Sequence, residues 1–221
     1  MASLKRNRRF STRIYLVLGL CLMAAGCATP PERRHPDYQA YLPHVRTVLC
    51  IAPEFGVFTA SDAGLVRQDK QSQAAGEQIT TAVARDLIEK GFKVVRADAQ
   101  TLHQPDVLSL RALFRAVNHS IQLHTYGPQI YPHKQAIFDY SLGSVADLLH
   151  AHGADALVLI NGQQTASRAG ANTWLSAAMV APQGQILWYS AYGDKAALEL
   201  SDAYHAGDVV AKALAGLRGG V

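Results

Sequence analysis

An α/β fold, one domain built on a mixed β-sheet, is what this sequence predicts, and three stretches predict it. Ala75, Ile79, Val83 and Leu87 recur every four residues between two β-rich apolar runs, which reads as strand–helix–strand. From Asp155 to Ile160 the chain carries the solid apolar run Ala156–Ile160, as expected of a central strand covered on both faces. Two alternating runs flank Ala181-Pro182-Gln183-Gly184, a turn with proline second and glycine fourth, and so read as an antiparallel hairpin. The implied element order is β-α-β-α-α-β-β-β-α: a parallel βαβ unit, a C-terminal hairpin, and helices packed on the sheet.

The amino end carries Lys5, Arg6, Arg8, Arg9 and Arg13, then the twelve-residue apolar run Ile14–Ala25, which closes in Leu22-Met23-Ala24-Ala25-Gly26-Cys27. Basic residues, a short apolar run and small residues form the pattern of a cleaved export signal, and the run is too short for a relaxed membrane span. The cysteine directly after the small residues supplies a thiol to receive lipid. The expectation is a lipoprotein signal peptide over 1–26, cleavage between Gly26 and Cys27, and lipidation of Cys27. An uncleaved anchor helix is the alternative, and it has no need of Ala24-Ala25-Gly26. Phe10-Ser11-Thr12 after Arg8-Arg9 fits twin-arginine export poorly, so general secretion is expected. By resemblance to Gram-negative lipoproteins, Ala28 after the cysteine implies the outer membrane, with the chain facing the periplasm.

Cleavage changes the charge. Without the five basic residues of 1–26, the 21 Lys and Arg fall to 16, against 17 Asp and Glu. The basic excess belongs to the signal, and nucleic acid loses its electrostatic support as a partner. Cys21 leaves with the signal and Cys27 is consumed by lipid, so Cys50 remains alone in an apolar run and reads as a small buried hydrophobe.

Residues 27–44 hold Pro30, Pro31, Pro36, Pro43 and a polar cluster, which predicts a tether, with Tyr38 and Tyr41 docking at its end. The periplasmic domain is then 45–221. Val45–Ala52 is its first strand, and Pro53–Lys70 reads as an irregular loop. Gln71–Lys90 is the clearest helix, stopped by Gly91 at a position that favours φ > 0. Strand Phe92–Arg96 follows. Pro105 and Asp106 suit the first turn of a helix whose stripe is Leu110, Leu113, Phe114, Val117 and Ile121. Ser144, with Asp147 three residues on, starts a short helix ending near Gly153. In the hairpin, Leu175, Ala177 and Met179 share one face and Trp174, Ser176 and Ala178 the other. Ser201-Asp202 caps a last helix with Val209, Val210, Leu214 and Leu217 in register.

Gly91-Phe92-Lys93-Val94-Val95, Gly153 to Ile160, and Met179 to Tyr189 with its strand–turn–GxxxW pattern are the stretches that carry a family likeness. Through them the region 45–217 resembles periplasmic lipoprotein domains related to the amino-terminal domain of the Tol translocation protein and to curli-secretion lipoproteins. The resemblance implies an accessory or assembly role in the cell envelope and no enzyme activity.

No catalytic motif stands out. GxSxG is absent, and Gly162–Gly170 lacks the order of a phosphate loop. His150 and His152 point about 200° apart on a helix, and no metal or cofactor is expected beyond the covalent lipid on Cys27. Residues 161–170 read as a polar connection between strands. Within it Asn161, Gln163, Gln164 and Arg168 are candidates for a binding rim, against the plainer reading of a solvated loop. In the aromatic stretch 124–141, Tyr126, Tyr131, Phe138 and Tyr140 either form an interface or pin the loop to its own domain. The expected function is non-enzymatic: partner binding, envelope assembly or accessory transport, with an envelope protein or a second copy as partner. The alternatives are a periplasmic hydrolase of cell-wall or glycan material, with its site at 161–170, and a ligand-binding module of an export system.

Overall fold

Strand β2 (Thr47–Cys50) runs between two parallel neighbours, β5 (Lys93–Arg96) and β6 (Ala156–Ser167). A computed structural model describes residues 32–126, 132–167, 170–195, 200 and 202–219. Among them one mixed sheet of eight strands has the order β1 (Arg33–Arg34), β8 (Ile186–Asp194), β7 (Gly170–Val180), β6, β2, β5; β3 (Glu54–Ser61) pairs with the far half of β6, and β4 (Gly64–Arg67) pairs with β3. The parallel βαβ unit and the terminal hairpin are both present. The hairpin consists of β7 (Gly170–Val180) and β8 (Ile186–Asp194). Its turn closes with the Gly184 N–H donating to Ala181 O at 2.8 Å, and Gly184 holds φ at +93°.

The central strands β2, β6, β7 and β8 send alternate side chains into two separate cores. Val48, Cys50, Val158, Ile160, Ala177, Met179 and Trp188 pack under α2 (Asp69–Glu89) and α7 (Ala203–Ala213). Leu49, Ile51, Leu157, Leu159, Ala178, Val180 and Tyr189 pack under α4 (Pro105–Tyr126) and α6 (Ala146–Ala151). Ala75, Ile79, Val83 and Leu87 are all buried, as their spacing predicts. In α4 the buried stripe differs from the expected one: Val107 joins it, and Leu113, 43% exposed, does not. Asp202 accepts from the His205 N–H at 2.9 Å and caps α7.

Two stretches depart from expectation. The segment read as an irregular loop contains β3 (Glu54–Ser61) and β4 (Gly64–Arg67), an antiparallel pair. β6 outruns β2, and β3 pairs parallel with the part left over, from Glu54↔Asn161 to Thr59↔Ala166. Local composition did not reveal this, because the pairing partner lies a hundred residues on. The expected tether is docked from Arg33 onward. β1 (Arg33–Arg34) pairs antiparallel with β8, and Tyr38, in α1 (Tyr38–Tyr41), is only 2% exposed. Its prolines do not forbid this: Pro36 follows the paired residues, and Pro43 sits in the first turn of a 3-10 helix, Leu42–His44. Among the described residues no helix is long and apolar enough to cross a membrane.

Candidate functional site

The connections that leave β2 and β5 run on opposite faces of the sheet. One runs through α2 to β5, and the other returns from β5 through α4 to β6. Ligands of open α/β sheets lie outside the carboxyl ends of the strands at such a switch. Here that place is a cleft of about 820 Å³. Its floor includes Cys50, Ala52 and Pro53. α2 contributes Ser72, Gln73, Gly76 and Glu77 to one side, and α4 contributes Arg111 and Arg115 to the other.

Four arginines, Arg67, Arg96, Arg111 and Arg115, face three carboxylates, Glu54, Asp69 and Glu77, in this lining. Glu54 is gripped from α4: Arg111 Nε lies 3.6 Å from its Oε1, and Arg115 donates to its Oε2. Arg67 bonds Asp69 at 3.1 Å and lies over the Phe58 ring. Gln73 donates to Glu77 at 3.1 Å. Arg96, exposed at the end of β5, has no ion-pair partner among the described residues.

The three nucleophile types in the lining are committed to structure. Thr80 Oγ1 donates to Gly76 O at 2.7 Å. Ser72 Oγ donates to Gln68 O at 2.7 Å and accepts from the Val57 N–H at 2.9 Å. Burial pushes the Cys50 thiol up to about 12, against the opposing pull of Arg96. Such a thiol is protonated and unreactive at neutral pH. The lining can therefore hold charge and hydrogen-bond a ligand, and it sets no base beside a free nucleophile.

The rim candidates separate. Asn161 and Gln163 line the cleft, though as strand residues of β6 rather than loop residues. The polar connection expected at 161–170 is the far half of the β6–β7 ladder, where Gln164 pairs with Thr173 and Ser167 with Gly170. Its polar composition suggested a loop, but the ladder supplies backbone partners that composition does not show. Gln164 is 4% exposed and donates to Thr173 Oγ1 at 3.0 Å, which removes it from any rim. Gly162 tolerates no side chain, since a Cβ would lie 2.6 Å from Trp174 O and 2.9 Å from the Phe55 ring. Arg168, Tyr131, Gly26 and Cys27 lie outside the described residues, and Tyr126 is described in its backbone alone.

The remaining aromatics pin their stretch to the domain. Phe138 is 3% exposed, with its centroid 5.3 Å from that of Tyr140 and 6.4 Å from that of Tyr189. The Arg33 guanidinium lies 5.5 Å from the Phe138 centroid. Tyr140 is half-buried and its hydroxyl bonds His124 Nδ1. As an interface residue Phe138 is thus corrected, because its ring is already inside the core. The cleft arginines form no sequence motif. Arg111 and Arg115, four apart on one helix, share a face, and that was the available signal.

No family model and no curated protein matches the chain. Among solved structures, the chain is similar to the PelC dodecamer from Paraburkholderia phytofirmans at 13% identity and a TM-score of 0.44, over 86% of this chain and 97% of that one. It is similar to lipoprotein GNA1162 from Neisseria meningitidis at 14% identity and a TM-score of 0.35, over 75% of this chain and 91% of that one. The third similarity is to the LpoB C-terminal domain from Salmonella enterica, at 14% identity and a TM-score of 0.29, over 72% of this chain and 98% of that one.

Proposed function

We propose that this chain is an exported, lipid-anchored protein of the outer membrane that faces the periplasm, and that its α/β domain binds an envelope partner without transforming it. The observation that carries the binding role is the cleft at the strand ends. It is roomy and rich in arginine, and its Ser72 and Cys50 are withdrawn from chemistry by hydrogen bonding and burial. Clefts of roughly 300–1,000 Å³ are the usual size for small-molecule sites. The anchor reading rests on Leu22–Cys27 and on the charge that leaves with 1–26. Docking of Arg33–Arg34 on β8 sets how far such an anchor lets the domain stand off, since five residue steps separate Cys27 from Glu32. Five extended residues reach at most about 18 Å, so lipid on Cys27 holds the domain close to the bilayer.

Crosslinking in intact cells tests the binding role. The wild-type chain is expected to give discrete crosslinked species, either with an envelope protein or with a second copy. At least one of them is lost in Arg96→Glu, a change at an exposed side chain. A chain that crosslinks to nothing, or whose crosslinks ignore Arg96→Glu, contradicts the proposal.

A further inference from the structure

We infer that the cleft is a site for a small molecule bearing an oxyanion, a carboxylate or a phosphate, recognised by Arg96 together with the Arg111–Arg115 pair. The inference rests on the binding role given to the cleft above, and it adds the chemistry of the ligand.

The charge distribution carries it. Arg67 and Asp69 neutralise one another at 3.1 Å. On the α4 side two guanidiniums share the single carboxylate of Glu54, which leaves one positive charge in surplus there. Arg96 adds another cation, unpaired among the described residues. Glu77, to which Gln73 donates, is the remaining carboxylate, so four arginines against three carboxylates leave the lining one net positive charge. Arginine's planar fork matches carboxylate and phosphate oxygens, so surplus arginines around a cleft select for those groups. Arg115 already holds a carboxylate there, that of Glu54, so the geometry the ligand needs is displayed by an internal one.

The shape agrees. Gly76 stands inside the 21-residue helix α2, where glycine is less favourable than alanine. It lines the cleft, and a Cβ there would meet only Pro53 O, at 4.0 Å. Helix packing therefore does not require a glycine at this position. Its effect is to keep open the space between α2 and Pro53. Phe55 and Phe58 supply apolar wall, and Gln73, Asn161 and Gln163 supply amide groups for the ligand body.

The test uses the full mature chain purified in detergent at neutral pH. Sodium phosphate and sodium citrate are titrated separately by calorimetry, with ionic strength held by sodium chloride. Saturable binding of at least one anion is expected. It weakens about tenfold in Arg96→Gln, is lost in Gly76→Leu, and is unchanged in Lys93→Gln, which alters an exposed cation of β5 outside the cleft. Phosphate without citrate assigns a phosphate-bearing ligand, and citrate without phosphate a carboxylate. Gly76→Leu adds a strong helix former and Arg96 is exposed, so both variants should unfold cooperatively. If one does not, the other decides. Binding of neither anion, or equal binding in wild type and variants, overturns the inference. Crosslinks that still depend on Arg96 would then leave the binding role standing. Anion binding without any crosslink would overturn the protein-partner reading and leave the cleft as a binding site.

Discussion

The Tyr189 hydroxyl donates to Asn118 Oδ1 at 2.7 Å, tying the last strand of the sheet to the middle of helix α4 through a buried polar contact. Around it Gln122 Nε2 lies 3.3 Å from Asn118 Oδ1 and 3.0 Å from Ser176 Oγ, and Trp174 Nε1 donates to Ser176 Oγ at 3.1 Å. Asn118 Nδ2 reaches Asn161 Oδ1 at 3.3 Å, so the network extends to the edge of the cleft. Buried networks of this kind fix one arrangement when every member is satisfied. Tyr189→Phe removes one donor and leaves Gln122 on the same oxygen. A loss of about 1 kcal/mol is expected by urea unfolding, and Asn118→Leu should cost more, about 2–3 kcal/mol, since several partners are orphaned at once.

Gly162 and Gln163 are neighbours in β6 with opposite expectations. A Cβ on Gly162 would meet Trp174 O at 2.6 Å, and a backbone oxygen cannot turn aside as a side chain can. Gly162→Ala should therefore destabilise by about 1–3 kcal/mol, as overpacked sites do. Gln163→Ala, at an exposed position, should stay within about 0.5 kcal/mol. Equal, small losses at both positions would mean that residues 161–164 are not held in the ladder.

Tyr38 tests whether the stretch before Val45 belongs to the domain. Its ring is buried in the first core, and the Arg34 guanidinium lies 5.1 Å from its centroid. Tyr38→Ala should cost about 3 kcal/mol, as large aromatic truncations in cores do. A free tether would predict no change in the urea midpoint.

Cys50 should be silent in the folded chain. With its thiol pushed up to about 12 by burial, it should resist thiol reagents at pH 8 and react fully in denaturant. Cys50→Ser places a hydroxyl in the apolar core and should cost about 1–3 kcal/mol.

The cap of α3 (Ala99–Leu102) supplies a pH signature. Asp98 accepts from the Thr101 N–H at 2.7 Å, and this backbone bond, with help from the Thr101 side chain, lowers the carboxyl below its ordinary value. A carboxyl lowered on folding contributes stability above its unfolded pKa of about 3.9 and loses it as pH falls through the folded value. Asp98→Ala should flatten the acid limb of the stability curve below about pH 4 and leave its shape at pH 6–8 unchanged.

Much of the fold was legible because its periods are local. Leu175, Ala177 and Met179 fall in one core and Ala178 in the other, as strict alternation requires. The four-residue spacing from Ala75 to Leu87 marked α2 in the same way. What escaped was non-local. Glu54–Ser61 is a strand because β6 extends past β2 and offers an edge, and nothing within those eight residues announces that partner. The cleft draws Glu54, Arg67, Arg96, Arg111 and Arg115 from four separate elements, so no motif spacing unites them. Gln164 looked like a solvated loop residue, yet its amide finds Thr173 across the ladder.

The most direct test of the anchored-domain account is metabolic labelling with palmitate in cells that produce the wild-type chain or Cys27→Ser. The account predicts a labelled, shortened, membrane-bound chain for the wild type, and an unlabelled chain of precursor length for the variant. Palmitate incorporated equally into Cys27→Ser would contradict it.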